Sequence, residues 1–143
     1  MKSEAEARRL EAVWSGTFGD EYVDRNSAAF EKRGEFWKEL LTEFPAERVL
    51  EVGCNVGANL HWVSKTVEPR NVFGIDVNGK ALEQLHTNVP GVNGVWSVGR
   101  ELPFRDRWFD LAFTIGVLIL LLRALLVREK PKTQIPVETR SDA

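Results

Sequence analysis

A short β-branched run that ends in a glycine turn constrains this chain more than any other feature of its sequence. Residues 49–60 read VLEVGCNVGANL, which predicts a buried strand, a tight turn and then a helix. Such a turn presents backbone N–H groups to a polar or anionic ligand without an intervening side chain. The next apolar run ends in Asp76, about 20 residues later, where a carboxylate suits both ribose hydroxyls. The two segments together predict a site for a nucleoside cofactor.

Length and composition limit the class of protein. At 143 residues the chain is near the common size of a single domain, and its 43% apolar and 28% charged residues are ordinary for a soluble protein. The net charge of −2 argues against nucleic-acid binding, which normally uses a clustered basic face. Cys54 is the only cysteine, and the charged N-terminus is unlike a signal peptide. We therefore expect a cytoplasmic protein that binds neither nucleic acid nor a metal.

One apolar run, LAFTIGVLILLL at residues 111–122, is long enough that a membrane-spanning helix has to be considered. A spanning helix needs roughly 20 apolar residues, whereas runs of about 10–14 are more often buried core. Asp110 and Arg123 bracket this run. We therefore expect residues 111–115 to form the fourth strand of the sheet, and we expect no membrane span.

Strand and helix patterns alternate along the chain. Four short apolar runs predict strands, at residues 48–52, 71–76, 94–97 and 111–115. Asn78 is the predicted cap of the helix after the second strand, and the inward residues of that helix are Ala81, Leu82, Leu85 and Val89. This alternation indicates βαβ units with right-handed crossovers. The prediction is an α/β protein with a doubly wound, Rossmann-like parallel sheet and N-terminal helices.

The chain divides into three predicted segments. Residues 1–47 form an N-terminal helical and aromatic segment, in which a polar helix-like start and a turn-rich stretch precede a helix from a Ser27 cap to Phe44. Residues 48–127 form the Rossmann-like domain, and residues 128–143 form a polar tail that we expect to be disordered. Doubly wound sheets usually continue past four strands, so we expect an incomplete sheet. Its exposed edge would favour self-association.

Two sequence motifs in the predicted Rossmann-like domain resemble motifs of a known protein family. The turn has the form E-x-G-x-N-x-G, with Glu51, Gly53, Asn55 and Gly57, whereas a nicotinamide-binding turn would read G-x-G-x-x-G. Residues 102–110, LPFRDRWFD, have the form L-P-F-x-x-x-x-F-D that precedes the fourth strand in that family. From residue 48 to residue 119, the chain resembles the class I S-adenosylmethionine-dependent methyltransferases.

A closer resemblance extends into the N-terminal segment. The stretches WSGTFGDEYVDRN at residues 14–26, EVGCN at 51–55 and GVLI at 116–119 are similar to the pseudaminic acid biosynthesis-associated methylases. The resemblance implies methyl transfer from S-adenosylmethionine to a small metabolite, such as a nucleotide-linked sugar. Those relatives continue with a histidine and three further strands, whereas this chain continues with LLLRALL and a polar tail. We therefore expect a truncated or frameshifted C-terminal part.

The resemblance also implies which residues bind the cofactor. The turn at residues 51–57 would hold the methionine part, with Glu51 ordering the loop, and Asp76 would accept both ribose hydroxyls. Val77 would pack against adenine, and Val98 stands where many relatives place an acid that contacts the adenine amine. The implied cofactor-binding residues are Glu51, Gly53, Cys54, Asn55, Gly57, Asp76, Val77 and Val98.

Several of these residues have a second interpretation from the sequence. Asp76 would also serve as a cap of the following helix, and the glycine turn would also serve as a simple break between strand and helix. Glu51 is as readily a paired structural acid as a cofactor contact, and Cys54 is more readily a packing residue than a nucleophile. Two rival functions therefore remain: a non-catalytic, truncated cofactor-binding half-domain and a nucleotide-binding oxidoreductase.

The N-terminal aromatic residues and the general base are left open as well. Trp14, Phe18 and Tyr22 either cover the cofactor or bury one edge of the sheet. An oxygen acceptor would require a general base. The sequence does not choose among the candidates for that base, which are His61, Asp20, Glu21 and Tyr22.

Overall fold

The computed structural model describes residues 2–27, 30–115 and 117. Three helices come first: α1 (Lys2–Ser15), α2 (Thr17–Asn26) and α3 (Gly34–Glu43). The later elements alternate in the order β1 (Val49–Val52), α4 (Ala58–Val63), a 3-10 helix (Pro69–Asn71), β2 (Val72–Asp76), α5 (Gly79–Asn88), β3 (Asn93–Trp96) and β4 (Leu111–Phe113). All four predicted strands are present, with slightly different ends.

The strands form one parallel sheet in the order β3-β2-β1-β4. Val49 of β1 lies opposite Val72 of β2 and Leu111 of β4, while Phe73 of β2 lies opposite Asn93 of β3. This arrangement confirms the predicted α/β, Rossmann-like class. Among the described residues β3 and β4 are the two edges of the sheet, and self-association through an edge stays a prediction.

The hydrophobic core joins the sheet to α3, α4 and α5. Trp37 of α3, Leu60 of α4 and Leu85 of α5 are almost fully buried in one cluster with residues of β1 and β2. Burying each such side chain stabilises the fold by about 1.5–3 kcal/mol. The predicted inward face of α5 is confirmed, because the three predicted residues within the helix and Val89 directly after it are all buried, namely Ala81, Leu82, Leu85 and Val89.

Two predictions for the N-terminal segment are wrong. Ser27 does not begin a helix; it follows the end of α2, and its N–H donates to the Asp24 carbonyl. The next helix starts only at Gly34, because Lys32 has a left-handed φ of 63° that interrupts an α-helix. The turn-rich stretch before Ser27 is helical, since the break is confined to Gly16, which adopts an extended conformation before α2.

The predictions for residues 118–143 lie outside the described residues. They concern the rest of the apolar run, the disordered tail and the altered C-terminal part. In the part of the chain that the structure describes, no helix is long and apolar enough to cross a membrane. The bounds of the three predicted segments stay predictions.

Replacing Gly57 with alanine is expected to lower the free energy of unfolding by about 2–3 kcal/mol. Gly57 has a φ of 85°, and an added Cβ would lie 2.3 Å from Cδ1 of the buried Leu85. Gly79→Ala is the matched control, because an added Cβ there has no atom within 4 Å. The control is expected to stay within about 1 kcal/mol of wild type in urea denaturation. Equal unfolding curves for the two variants would contradict this prediction.

Candidate functional site

The loop between β1 and α4 passes through three left-handed residues. Gly53, Asn55 and Gly57 have φ angles of 76°, 48° and 85°, which glycine and asparagine adopt at the lowest cost. The N–H groups of Gly53 and Cys54 both donate to the Ile75 carbonyl, at 2.9 and 3.0 Å. The expectation that the N–H groups of the turn face a ligand is therefore wrong for these two groups. They instead fasten the loop to the end of β2.

Asp76 ends β2 beside this loop. Its Oδ2 accepts a hydrogen bond from the Asn55 N–H at 2.9 Å, and its Oδ1 accepts one from the Asn78 N–H at 3.0 Å. Burial raises the pKa of Asp76, and hydrogen bonds from backbone N–H groups oppose that rise. The cap of α5 is Asn78, whose side-chain oxygen accepts from the Ala81 N–H at 2.9 Å. Each Asp76 oxygen keeps acceptor capacity for a further donor.

Glu51 is buried near the carboxyl end of β1, with 1% of its surface exposed. Its Oε1 accepts a hydrogen bond from Asn59 Nδ2 at 2.6 Å, while its Oε2 has no hydrogen-bond partner among the described residues. Burial raises the pKa of Glu51 to about 8, against the lowering effects of the Asn59 hydrogen bond and the Arg33 charge. A buried acceptor without a partner costs about 1–3 kcal/mol. This oxygen is therefore available to accept a hydrogen bond from a donor that enters the site.

Glu51 and Asp76 both line a cavity of about 350 Å³ at the carboxyl ends of β1 and β2. Open α/β sheets bind ligands at this end, and small-molecule sites usually have volumes of roughly 300–1,000 Å³. Most of the predicted cofactor-binding residues line the cavity, namely Glu51, Gly53, Cys54, Asn55, Asp76 and Val77. Gly57 and Val98 are not among its lining residues, although Ser97 and Gly99 on either side of Val98 are.

Cys54 and Gly57 have clear packing roles. The Cys54 thiol is buried against Gly74, where an added Cβ would lie 2.7 Å from Sγ. Burial raises the pKa of the Cys54 thiol well above its ordinary value, which does not suit a nucleophile. Gly57 directs the chain into α4. Cofactor contacts by Gly57, Cys54 and Val98 stay predictions.

Helices α1 and α2, here called the N-terminal helical pair, cover one side of the cavity. Trp14 and Tyr22 line it, and their rings meet edge-on with centroids 5.3 Å apart. Asn78 holds the pair, because its Nδ2 donates to the Trp14 carbonyl at 3.0 Å and to Asp20 Oδ1 at 2.9 Å. Phe18 packs edge-on against Trp14 and is 47% exposed. Trp14 and Tyr22 therefore cover the cavity, whereas Phe18 supports them from outside.

The four candidate general bases differ in position. Tyr22 lines the cavity, whereas His61, Asp20 and Glu21 are not among its lining residues. His61 packs edge-on against two aromatic rings, and partial burial lowers its pKa. Within the described ranges, no three side chains of His, Cys, Asp or Glu are grouped to hold a metal ion. Of the four candidates, the geometry favours Tyr22.

Several polar residues of the cavity were missed as site residues in the sequence, and three of them form hydrogen bonds around Glu51 and Asp76. Arg33, Asn59 and Asn78 line the cavity together with Glu51 and Asp76. Asn78 was identified only as a helix cap, and Asn59 lies in a helix with no recognisable motif. Arg33 comes from the segment before α3, and its approach to the cavity depends on tertiary packing. The sequence therefore contains no spacing that would indicate Arg33.

Comparison with known families gives a clear match. A family model described as a methyltransferase domain matches residues 49–128, which is more than half of the chain. The chain belongs to the methyltransferase domain family. The predicted class of S-adenosylmethionine-dependent methyltransferase is thereby confirmed at the level of the family and its fold. The closer resemblance to the pseudaminic acid biosynthesis-associated methylases stays a prediction.

Two curated relatives from mycobacteria are similar over half of the chain. The chain is 35% identical over 75 residues to phthiotriol/phenolphthiotriol dimycocerosates methyltransferase 1 of Mycobacterium ulcerans. It is 31% identical over 71 residues to the fatty-acid O-methyltransferase of Mycolicibacterium smegmatis. These alignments cover 51% and 48% of this chain but only 28% and 26% of the relatives. The chain therefore spans little more than a quarter of the length of these relatives.

A solved structure has the same fold. It is an amino pentose methyltransferase from Micromonospora echinaspora with bound S-adenosylmethionine, and it superposes with a TM-score of 0.52 at 21% sequence identity. The superposition covers 70% of this chain and 42% of that chain. At this identity the similarity shows a shared fold alone.

Proposed function

We propose that this chain binds S-adenosylmethionine in the cavity and transfers its methyl group to a small acceptor. The proposal rests mainly on one observation: the Asp76 carboxylate, whose oxygens keep acceptor capacity, lines the cavity together with the buried Glu51, beside a glycine loop. Membership of the methyltransferase family supports the same conclusion. Membership of this family also argues against the alternative function of a nucleotide-binding oxidoreductase.

The residues of the cavity suit the polar groups of this cofactor. The two ribose hydroxyls are donors, and both Asp76 oxygens can accept a further hydrogen bond. The ammonium group of the amino-acid tail is a donor that matches the unpartnered Glu51 oxygen. Ile75 and Val77 add apolar surface on the side where the adenine ring would lie.

The chemistry requires orientation more than acid–base help. S-adenosylmethionine supplies an electrophilic methyl group on a sulfonium, and an acceptor displaces it in line. Residues that fix the geometry and exclude water supply most of the rate enhancement for such a step. We assign the exclusion of water to Trp14 and Tyr22, which cover the cavity. For an oxygen acceptor, the Tyr22 hydroxyl is the candidate base that lies at the cavity.

The acceptor itself has two candidate classes. The resemblance of residues 14–26 supports a small metabolite such as a nucleotide-linked sugar. A second candidate is a lipid-like acceptor, since relatives are named for fatty acids and dimycocerosates. Ile115 also supports the second candidate, because it lines the cavity while 48% exposed and so makes the opening partly apolar.

Calorimetric titration tests which cofactor the chain binds. The two ligands to compare are S-adenosylhomocysteine and NADH. We expect the methyltransferase product to bind and NADH not to bind. At 100 times its dissociation constant, the bound ligand should add about 2.7 kcal/mol to the free energy of unfolding. Preferential binding of NADH, or binding of neither ligand, would overturn the proposed function.

Transfer of an isotope-labelled methyl group tests the reaction. The acceptors to compare are a nucleotide-linked sugar and a medium-chain fatty acid. Labelled product from either acceptor supports catalysis and identifies the class. Binding of S-adenosylhomocysteine without any transfer would favour the rival of a non-catalytic, truncated half-domain.

A further inference from the structure

The N-terminal helical pair has few buried apolar contacts with the rest of the chain. Among the described side chains of the pair, only Val23 belongs to the buried core, and it packs with Val56 and Ala81 in a small cluster apart from the larger one. Helices α3, α4 and α5 instead contribute to the larger cluster. Segments with few buried apolar contacts open at a lower free-energy cost than the core does. We therefore expect the pair to open while the sheet and its core stay folded.

The polar contacts that hold the pair differ in their burial. Glu11 pairs with Arg100 at 3.1 Å and Asp24 pairs with Lys80 at 2.7 Å, but all four side chains are at least 28% exposed. Exposed ion pairs contribute little to stability. Asn78, in contrast, is 3% exposed, so water does not compete for its hydrogen bonds. Of these contacts, the one at Asn78 is therefore expected to hold the pair most firmly.

The Asn78 side chain joins both helices of the pair to α5. Its Oδ1 accepts from the Ala81 N–H at 2.9 Å, and its Nδ2 donates to the Trp14 carbonyl at 3.0 Å and to Asp20 Oδ1 at 2.9 Å. Trp14 lies at the end of α1, and Asp20 lies in the first turn of α2. Gly19 permits this close approach, because an added Cβ would collide with the Trp14 carbonyl and lie 2.8 Å from Asn78 Nδ2. One amide group therefore bridges the corner between the two helices.

Asn78 also lies beside the proposed ribose site. Its backbone N–H donates to Asp76 Oδ1 at 3.0 Å. Its side chain lines the cavity together with Trp14 and Tyr22. One residue therefore contacts both the proposed ribose acceptor and the helices that cover the cavity.

We propose that the N-terminal helical pair is a lid and that the Asn78 side chain holds this lid closed. Asn78 is a positioning residue: while its hydrogen bonds to Trp14 and Asp20 are made, Trp14 and Tyr22 lie over the cavity and exclude water. When these bonds break, the pair separates from α5, and a ligand enters or leaves. The inference rests on the proposed function for the identity of that ligand, but not for the opening itself.

A reversal of donor and acceptor tests the role of Asn78. The proteins are wild type, Asn78→Asp, Asp20→Asn and the double variant. Asn78→Asp keeps an acceptor for the Ala81 N–H, and so keeps the cap of α5, but it places a second carboxylate against Asp20. Asp20→Asn keeps an acceptor oxygen for Asn78, and the double variant restores a hydrogen bond with reversed polarity. Glu4→Gln is the control, because it removes an exposed ion pair within α1.

Stopped-flow binding of S-adenosylhomocysteine measures the opening through ligand exchange. We expect Asn78→Asp to raise the association and the dissociation rate constants, the latter roughly 10- to 100-fold. The double variant should lose most of this acceleration, while Asp20→Asn and Glu4→Gln should match wild type. Faster dissociation without faster association would overturn the inference, because a damaged binding site gives that result and an opened lid does not.

Hydrogen exchange of the ligand-free chain tests the opening without any ligand. Helices of 10 and 14 residues are marginally stable once undocked, so the amides of α1 and α2 report the opening. We expect these amides to exchange faster in Asn78→Asp than in wild type, those of α3 and α4 to be unchanged, and the double variant to restore protection. Equal acceleration in α3, or no change in α1 and α2, would overturn the inference.

A second variant replaces Asn78→Asp if circular dichroism shows that it does not fold. Asp20→Ala removes one acceptor of Asn78 Nδ2 and leaves the cap of α5 intact, so it should accelerate exchange in α1 and α2 in the same way, by a smaller factor. Unchanged exchange in this variant would overturn the inference. Failure of wild type to bind S-adenosylhomocysteine would overturn the proposed function alone, and the hydrogen-exchange result would then decide whether the lid exists.

Discussion

Replacing Glu51 with glutamine is expected to stabilise the ligand-free chain at about pH 8 and to change it little at about pH 5. Burial raises the pKa of Glu51 to about 8, from an ordinary value of 4.5. Between these values the folded chain keeps a proton that the unfolded chain has lost. The free energy of unfolding of wild type therefore falls as the pH rises through this window. Glutamine does not ionise, so the variant avoids this fall in the free energy of unfolding. At about pH 8 the fall has an upper limit of about 5 kcal/mol.

Urea denaturation across this pH window measures the effect. Glu83→Gln is the matched control, because Glu83 is an exposed glutamate on α5 and should leave the pH dependence of unfolding unchanged. The Glu51→Gln variant should also bind S-adenosylhomocysteine more weakly, since the ammonium group loses its anionic partner. A gain in stability with a loss in affinity is typical of residues kept for binding. The account of Glu51 is wrong if its variant differs from wild type equally at both pH values.

The Asp76→Asn variant is expected to bind S-adenosylhomocysteine about 100-fold more weakly than wild type. An amide has only one acceptor oxygen, and its NH2 group would face the N–H of either Asn55 or Asn78. One ribose hydroxyl would lose its acceptor, and one of the two backbone N–H groups that donate to Asp76 would lose its acceptor as well. Calorimetric titration measures the affinity, and circular dichroism checks that the variant is folded.

A ligand without the 2′-hydroxyl separates the ribose contact from the loop contact. Wild type should bind the 2′-deoxy analogue clearly more weakly than S-adenosylhomocysteine, whereas Asp76→Asn should distinguish the two ligands much less. Asp106→Asn provides the control, since it removes an exposed carboxylate from a loop away from the cavity. If Asp76→Asn discriminates between the ligands as strongly as wild type does, Asp76 does not hold the ribose.

The sequence predicted the features that depend on local chain chemistry. The strand, glycine turn and helix around Gly53, the cap at Asn78 and the buried face of α5 all follow from short-range preferences. The position of Asp76 beside the loop follows from parallel pairing of β1 with β2, which brings the ends of both strands together. These features were enough to predict the fold class and the location of the site.

The features that were missed depend on tertiary contacts. The start of α3 at Gly34 reflects the left-handed Lys32 and the packing of Gly34 on Trp62. Arg33 reaches the cavity only because that packing directs it there. The backbone N–H groups of Gly53 and Cys54 donate to the Ile75 carbonyl of β2, and a turn motif alone does not predict these hydrogen bonds. Such contacts join segments far apart in the sequence, so no local spacing predicts them.

A crystal structure of the chain with S-adenosylhomocysteine tests the central claim most directly. The account predicts both ribose hydroxyls within hydrogen-bond distance of the Asp76 oxygens and the ammonium group at Glu51 Oε2. A ligand bound elsewhere, or bound in this cavity with its ribose away from Asp76, would contradict it.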